Sequence, residues 1–471
     1  PIRIKFTSPR STALNQTLQS FPRVTSPTIV ALGARKLFSP MIGCFPATGK
    51  ISAMLRVVQQ ISCFLSDLWC VNTRELFLRH VAQTSPAPLA FEIERAECAT
   101  LFDRSGRSYV DLIGGISVAN IGHSHPKVLD AIRAQLDKYL HVMVYGEFVE
   151  TPQVHYAQRL TALLPASLNS VYFTNSGAEA VEGAMKLAKR ITKRSRIVCF
   201  NGSYHGSTQG ALSAIGDEYW RQAFRPLLPD VWHLNYNDPA AIDAIDETTA
   251  CVLLETVQAE SGILIPDAAW LKALEQKCRS TGALFILDEI QAGFGRTGKL
   301  WAFEWFDVVP DVLLLGKALG GGLPLGAFIA DKCLMDQLTD APVLGHITTF
   351  GGHPLSCAAG LAALNALIEE QWIEGVKAKE QLFRTLLIHP RIASIRSFGL
   401  WMAVEFSDAE TCKKVIDRCI DIRDPNEVGL MTDWFLFAPH CLRIAPPLLI
   451  SEYQIQQACA RILASIDQNN P

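Results

Sequence analysis

The run Leu284-Phe285-Ile286-Leu287-Asp288-Glu289-Ile290-Gln291, followed by Val312-Leu313-Leu314-Leu315-Gly316-Lys317, is the part of the chain from which the fold can be read. Each begins as a short unbroken apolar stretch, the pattern of a parallel strand covered on both faces. One ends at a carboxylate and the other at an amine. On the N-terminal side, similar runs at 171–174, 197–200 and 251–254 belong to an alternation with helix-like segments between 125 and 350. One of these segments, 268–279, places Leu271, Leu274 and Cys278 at helical spacing and ends near Gly282. This alternation predicts an α/β domain with a mostly parallel sheet covered by helices. Beyond it, 358–370 is helical in composition and 399–406 is strand-like, which predicts a smaller α+β domain. Upstream, the runs 91–96 and 100–103, with the turn-rich Asp103-Arg104-Ser105-Gly106, predict a β-hairpin.

An acid and an amine at two neighbouring strand ends are what pyridoxal phosphate chemistry requires. The carboxylate can keep a pyridine nitrogen protonated and the lysine can form an imine with an aldehyde. Either half alone is commonplace, since strands often end in Asp and Gly-Lys often opens a solvated loop. Together with Asp288-Glu289-Ile290-Gln291-Ala292-Gly293-Phe294-Gly295-Arg296-Thr297-Gly298 and Gly316-Lys317-Ala318-Leu319-Gly320-Gly321-Gly322, they form a stretch that resembles the class III (ω-type) aminotransferases. The resemblance extends over about 73–463. It implies the pyridoxal phosphate fold type I, with a mostly parallel seven-stranded sheet. It further implies that Asp288 pairs with the pyridine nitrogen, Gln291 sits beside the phenolic oxygen and Lys317 carries the Schiff base. The domain reading is 72–124 as an N-terminal segment joining the small domain, 125–350 as the large cofactor-binding domain and 351–471 as the C-terminal small domain.

A phosphate needs convergent donors. Ser170-Val171-Tyr172-Phe173-Thr174-Asn175-Ser176-Gly177-Ala178-Glu179 supplies a strand, a small-residue turn and a helix start, with Ser176 and Glu179 at capping-box spacing. The free amides of Gly177 and Ala178 would then face an anion. A plain N-cap is the competing reading, and the likeness to the family's Ser-Gly-x-Glu motif favours the phosphate. By the same resemblance Tyr204 covers the cofactor ring, Thr349 reaches the phosphate of a neighbouring subunit, and the molecule is a homodimer with sites at the interface. For His205 a supporting role, simple packing and catalysis all stay open. His353 stands where the family usually has Asn.

On the substrate side, a carboxylate calls for a bidentate guanidinium. Arg443, in Cys441-Leu442-Arg443-Ile444-Ala445-Pro446-Pro447, resembles the family arginine that binds it, and Glu260 matches the acid that pairs with that arginine when the amino donor has no carboxylate there. Such a movable counter-ion avoids leaving Arg443 buried and unpaired. Ser207 stands where acetylornithine-, ornithine- and 4-aminobutyrate-type relatives carry an Arg for a distal carboxylate; Tyr145 and its neighbours are candidates to replace it. Val118, in Gly114-Gly115-Ile116-Ser117-Val118, belongs to a pocket wall by resemblance, and to a tight turn before a core strand on the simplest reading. The expected reaction moves an amino group from an amino acid, ω-amino acid or diamine to 2-oxoglutarate or pyruvate. The alternative is an isomerase of the same superfamily, an aminomutase or amino-acid epimerase.

Bulk properties agree with a small-molecule enzyme. The net charge is only -3, which gives no footprint for nucleic acid or an anionic membrane. The 13 cysteines show no Cys-x-x-Cys pair or metal-type spacing, so a reducing, cytoplasmic setting and no metal are expected. Residues 1–66 hold eight Lys or Arg and no acid. The stretch 1–71 therefore reads as a poorly ordered basic leader, mitochondrial in the alternative localisation, or as a non-native extension. Gly293-x-Gly295-x-x-Gly298 satisfies the dinucleotide fingerprint in form only, because it lies past the strand end without a fitting acid downstream.

Overall fold

The structure, a computed structural model, describes residues 72–144, 147–422 and 427–467. The leader reading of 1–71 and the candidate Tyr145 lie outside the described residues. The chain divides into two units, one ending at Ala90 and one running from Phe91. In the first, Asn72 caps the helix Thr73–His80 by accepting the Arg74 N–H at 3.0 Å.

The strands of the second unit begin with β1 (Ile93–Glu97), β2 (Thr100–Asp103) and β3 (Ser108–Asp111). There follow β4 (Ser170–Thr174), β5 (Arg196–Phe200), β6 (Val231–Leu234), β7 (Thr249–Glu255), β8 (Leu284–Asp288), β9 (Val312–Leu315) and β10 (Gly326–Ala330). The last are β11 (Ser394–Ser397), β12 (Met402–Glu405), β13 (Gly429–Met431), β14 (Trp434–Phe435) and β15 (Ala438–Ile444). The large sheet has seven strands in the order β4-β10-β9-β8-β7-β5-β6. Its β9, β8, β7, β5 and β6 pair in parallel, while β10 runs antiparallel to β9 and β4.

The apolar runs are explained by burial on both faces. Leu284 and Ile286 of β8 meet Val181, Ala184, Met185, Leu187 and Ala188 of the helix Gly177–Thr192. The alternate residues Phe285 and Leu287 join the cluster that includes Trp270, Leu271 and Leu274 of the helix Ala268–Thr281. Each such side chain contributes about 1.5–3 kcal/mol when fully buried, so a polar residue would be costly at any position before the strand end. The second helix stops where expected: Gly282 takes a φ of +72° and returns its N–H to the Cys278 carbonyl.

The two smaller sheets have the orders β1-β2-β3-β13 and β11-β12-β15-β14. β13 lies parallel to β3, so the early meander shares a sheet with a strand from the far end of the chain. Two local expectations are corrected here. The 91–96 and 100–103 runs do form a hairpin, β1 against β2, but the Asp103–Gly106 turn belongs to the next one, joining β2 to β3. The Asp103 carboxylate organises it by accepting from Ser105 N, Ser105 Oγ and Arg107 N at 2.9, 2.7 and 3.0 Å. The Gly114–Val118 segment comes after β3 instead of preceding a strand, and it leads towards the helix Pro126–Leu136. Gly114 to Ser117 all have φ between +56° and +62°, a left-handed turn closed by Val118 and Ala119 N–H groups on the Gly114 carbonyl. Among the described residues no helix is long and apolar enough to cross a membrane.

Candidate active site

In open α/β sheets, ligands bind beyond the carboxyl ends of the strands. Here a cavity of about 270 Å³ lies at those ends: Tyr204 and His205 come after β5, Glu255 ends β7, Asp288 ends β8 and Lys317 comes after β9. Gly177 and Ala178, from the helix after β4, and Gln291 complete the wall. The structure thus brings together seven of the cofactor candidates named from sequence, together with Ser207, and adds Glu255.

Asp288 is buried and held from two sides. Its Oδ1 accepts the Ile290 N–H at 3.0 Å, and its Oδ2 lies 2.7 Å from His205 Nδ1. His205 is itself buried, so its ring holds the carboxylate in place. Among the described residues, His205 Nε2 and Gln291 Nε2 are buried without a hydrogen-bond partner. Glu255 bridges the backbone N–H groups of Tyr204 and Ala259, each at 2.9 Å. Burial, with the charge of Asp288 adding to it, pushes its carboxyl up to about 8. Lys317, next to Gly316, has a φ of +49°, a conformation that costs a non-glycine residue about 1–3 kcal/mol. Burial pushes its amine down, against the opposing pull of Asp288, Glu260 and Glu255.

Ser176 is the N-cap expected, its side chain accepting the Glu179 N–H at 3.2 Å. The return arm differs from a capping box: the Glu179 carboxylate takes the N–H of Asn175 at 2.8 Å instead of that of Ser176. The N–H groups of Gly177 and Ala178 occupy the first turn, where a helix offers no internal acceptor. A Cβ on Gly177 would fall 2.8 Å from Ile290 Cδ1, so a side chain there would require Ile290 to move.

Arg443 and Glu260 form a second centre. Arg443, 2% exposed, donates to Glu260 Oε1 and Oε2 at 3.0 and 2.9 Å, a bidentate pair. Its Nε donates to Asp433 Oδ1 at 2.8 Å, its Nη2 also reaches the Trp434 carbonyl at 3.0 Å, and its Cζ lies 4.4 Å from the Phe435 ring centre. Asp433 was not found from sequence. The two centres are tied by Arg296, which is fully buried within the loop after β8. It donates to the carbonyls of Leu400 and Pro446 at 2.9 and 2.6 Å and to Asn120.

The candidates Val118 and Thr349 fall elsewhere. Val118 lines a separate cavity of about 220 Å³ that also takes in Ala318 and Gly321, so it stands near the Lys317 segment without touching the first cavity. Thr349 is exposed and outside both cavities, while its neighbour Thr348 accepts the Asn175 side-chain N–H at 2.7 Å. His353 takes the N-cap place of the helix Pro354–Glu369, its Nδ1 accepting the Leu355 N–H at 3.3 Å. Ser207 lines the first cavity, its Oγ 3.2 Å from the Tyr204 hydroxyl. No metal-type cluster of His, Cys, Asp and Glu occurs among the described residues.

The polar chemistry of this cavity suits a phosphorylated pyridine aldehyde: two unpartnered buried nitrogens, a carboxylate fixed by a histidine, a glycine-lined helix start and an amine lowered by burial. Comparison with known proteins decides the family. The family model described as aminotransferase class-III matches residues 81–466. The chain belongs to the class III aminotransferases. An acetylornithine aminotransferase from Methanopyrus kandleri is 39% identical over 371 residues, 78% of this chain and 92% of that protein. One from Streptomyces coelicolor is 37% identical over 382 residues, 79% and 90% of the two chains. Among solved structures, an ornithine aminotransferase from Toxoplasma gondii superposes with a TM-score of 0.77 at 28% identity, covering 87% of this chain and 97% of that one. An amine transaminase from an uncultivated Pseudomonas species, solved in a PLP-bound form, gives 0.74 at 25% identity, covering 83% and 98%. The aminotransferase is therefore a pyridoxal-phosphate-dependent transferase of fold type I, its seven-stranded mixed sheet being the one described above.

Proposed function

We propose that this aminotransferase moves an amino group from the terminal amine of an amino acid, ω-amino acid or diamine to a 2-oxo acid, using Lys317 and Asp288 as its central pair. Arg443, closed by a movable acid, carries this reading. One pocket must admit a donor with no charge at its near end and then an acceptor with a carboxylate there. Glu260 supplies the counter-ion in the first case and withdraws in the second. An isomerase handles one carbon skeleton throughout and has less use for such an exchange.

Pyridoxal phosphate, when bound, draws electron density from the amine-bearing carbon of the donor. In our reading Ser176, Gly177 and Ala178 would hold the phosphate, Tyr204 and Gln291 would hold the ring, and Asp288, steadied by His205, would keep its nitrogen charged. Lys317 would tether the cofactor and would move a proton at the donor carbon during turnover. Burial disfavours the charged form of its Nζ, which favours acceptance of that proton. Val118 and Tyr145 are read as pocket residues for the donor. The divisions 72–124, 125–350 and 351–471 are kept as the working domain scheme. We also propose a homodimer in which Thr349 serves the partner's phosphate. Its segment exposes Val343, Ile347 and Phe350 (68, 57 and 53%), and the 136–149 segment exposes Leu140 and Val149 (57 and 89%), apolar area of the kind that marks an interface. The described cysteines are free, which suits a reducing compartment such as the cytoplasm.

A donor screen with acetylornithine, ornithine, 4-aminobutyrate and putrescine, against 2-oxoglutarate and pyruvate, tests the reading. Amino transfer with at least one pair supports it. A cofactor-loaded protein that transfers nothing yet racemises or shifts an amine within one substrate would establish the isomerase instead.

A further inference from the structure

Asp433 is a second anion on Arg443 for which the exchange just proposed has no use. One guanidinium here serves two carboxylates: Glu260 takes Nη1 and Nη2, and Asp433 takes Nε at 2.8 Å. The two acids are not equivalent. Glu260 is 5% exposed, sits in the loop after β7 and is also held by the Leu436 N–H at 2.9 Å. Asp433 is fixed in the chain turn that presents Arg443: its carbonyl accepts the Arg443 N–H at 2.9 Å, across the β14–β15 hairpin. When Glu260 withdraws, Asp433 stays.

We infer that Asp433 is a specificity-determining positioning residue. It keeps Arg443 aimed while its permanent charge weakens the grip of Arg443 on an incoming carboxylate, biasing the pocket towards donors uncharged at that end. The inference rests on the Glu260–Arg443 exchange proposed above. Once Glu260 has withdrawn, the Arg443–Asp433 pair is already neutral overall, so an arriving carboxylate meets a guanidinium whose charge is offset. The groups facing Asp433 are Arg443 from β15, Glu260 from the loop after β7, Asp111 from the end of β3 and the Cys412 thiol from the helix Ala409–Ile420. Burial, resisted by Arg443, raises its carboxyl to about 6, so the restraint strengthens as pH climbs through about 6 and is nearly complete by neutrality.

Two substitutions separate charge from shape. Asp433→Asn keeps an oxygen for Arg443 Nε and removes the charge, and the partly exposed side chain lets the added N–H reach water. Asp433→Ala removes both. Affinity for glutarate, a carboxylate with no carbonyl to react, is measured by calorimetry on the cofactor-loaded protein, with Arg443→Ala as the null control; acceptor and donor KM are measured alongside. Expected for Asp433→Asn is glutarate binding and acceptor KM about ten-fold tighter above pH 7, shrinking towards parity at pH 5, with donor KM unmoved. Expected for Asp433→Ala is weaker binding. Both variants moving in the same direction, or neither moving, overturns the inference. A wild-type protein that binds glutarate but transfers no amine would overturn the functional reading while leaving this one measurable.

Discussion

The cavity at the strand ends and the cluster around Arg443 are opposites in how they satisfy their polar groups. In the cavity, His205 Nε2 and Gln291 Nε2 are buried with nothing to bond among the described residues. At Arg443, the guanidinium is closed off by Glu260, Asp433 and the Trp434 carbonyl. An unpaired buried polar atom costs about 1–3 kcal/mol, which is tolerable where a resident ligand meets it for most of the protein's life. A guanidinium visited only in passing cannot be left that way, so the protein supplies its own substitute. On the proposed function, the first site is built for a permanent guest and the second for alternating ones.

The largest test of this contrast is Lys317→Ala, expected to lower turnover by about 10,000-fold and to abolish cofactor trapping by borohydride, read by mass spectrometry of the reduced protein. Asp288→Ala should cost about 100–1,000-fold in turnover; a variant with near-normal turnover removes Asp288 from the mechanism. On the self-satisfied side the expected effect falls on stability as much as on catalysis. Arg443→Ala leaves Glu260 and Asp433 facing each other, so unfolding in denaturant should show a loss of about 3–5 kcal/mol together with a raised acceptor KM. A variant as stable as the parent would mean that the cluster is not closed in solution.

The smallest effect concerns a third place, where a buried polar group has neither a guest nor a substitute. Both oxygens of Glu150 are buried without a partner among the described residues, and Glu150 lines neither of the two cavities. Burial raises this carboxyl from 4.5 to about 7. The folded protein then holds a proton that the unfolded chain releases, so stability is lost as pH rises between those two values. Glu150→Gln should match the parent in thermal melts near pH 4.5 and exceed it by a few degrees above pH 7. An unchanged difference across that range would show that a partner, such as a second copy of the chain, already pairs with Glu150.

Much of the first site was legible because physics writes it locally. An apolar strand has a polar end, so Asp288 and Lys317 announce themselves where Leu284–Leu287 and Val312–Leu315 stop. Ser176 and Glu179 show a helix start by spacing alone. Strand direction is not written that way: β10 is as apolar as its neighbours yet runs against them, since burial does not depend on polarity of the backbone. Asp433 was missed because its value depends on the β14–β15 hairpin returning Arg443 beside it. The only trace in sequence was an acid ten residues before the arginine, with aromatic residues between. Gly114–Val118 was misplaced for a related reason: its glycines mark a turn but do not fix the kind of element the chain enters after it.

Arg296 joins the two contrasting places. Its side chain, seated in the loop that Asp288 opens, holds the carbonyl three residues beyond Arg443 and another beside β12. On the proposed function, the reacting end and the gripping end of a substrate would be measured by one stiff gauge. Such a gauge would sort molecules by the span between amine and carboxylate, and a loosened Arg296 should blur that sorting while leaving each end intact.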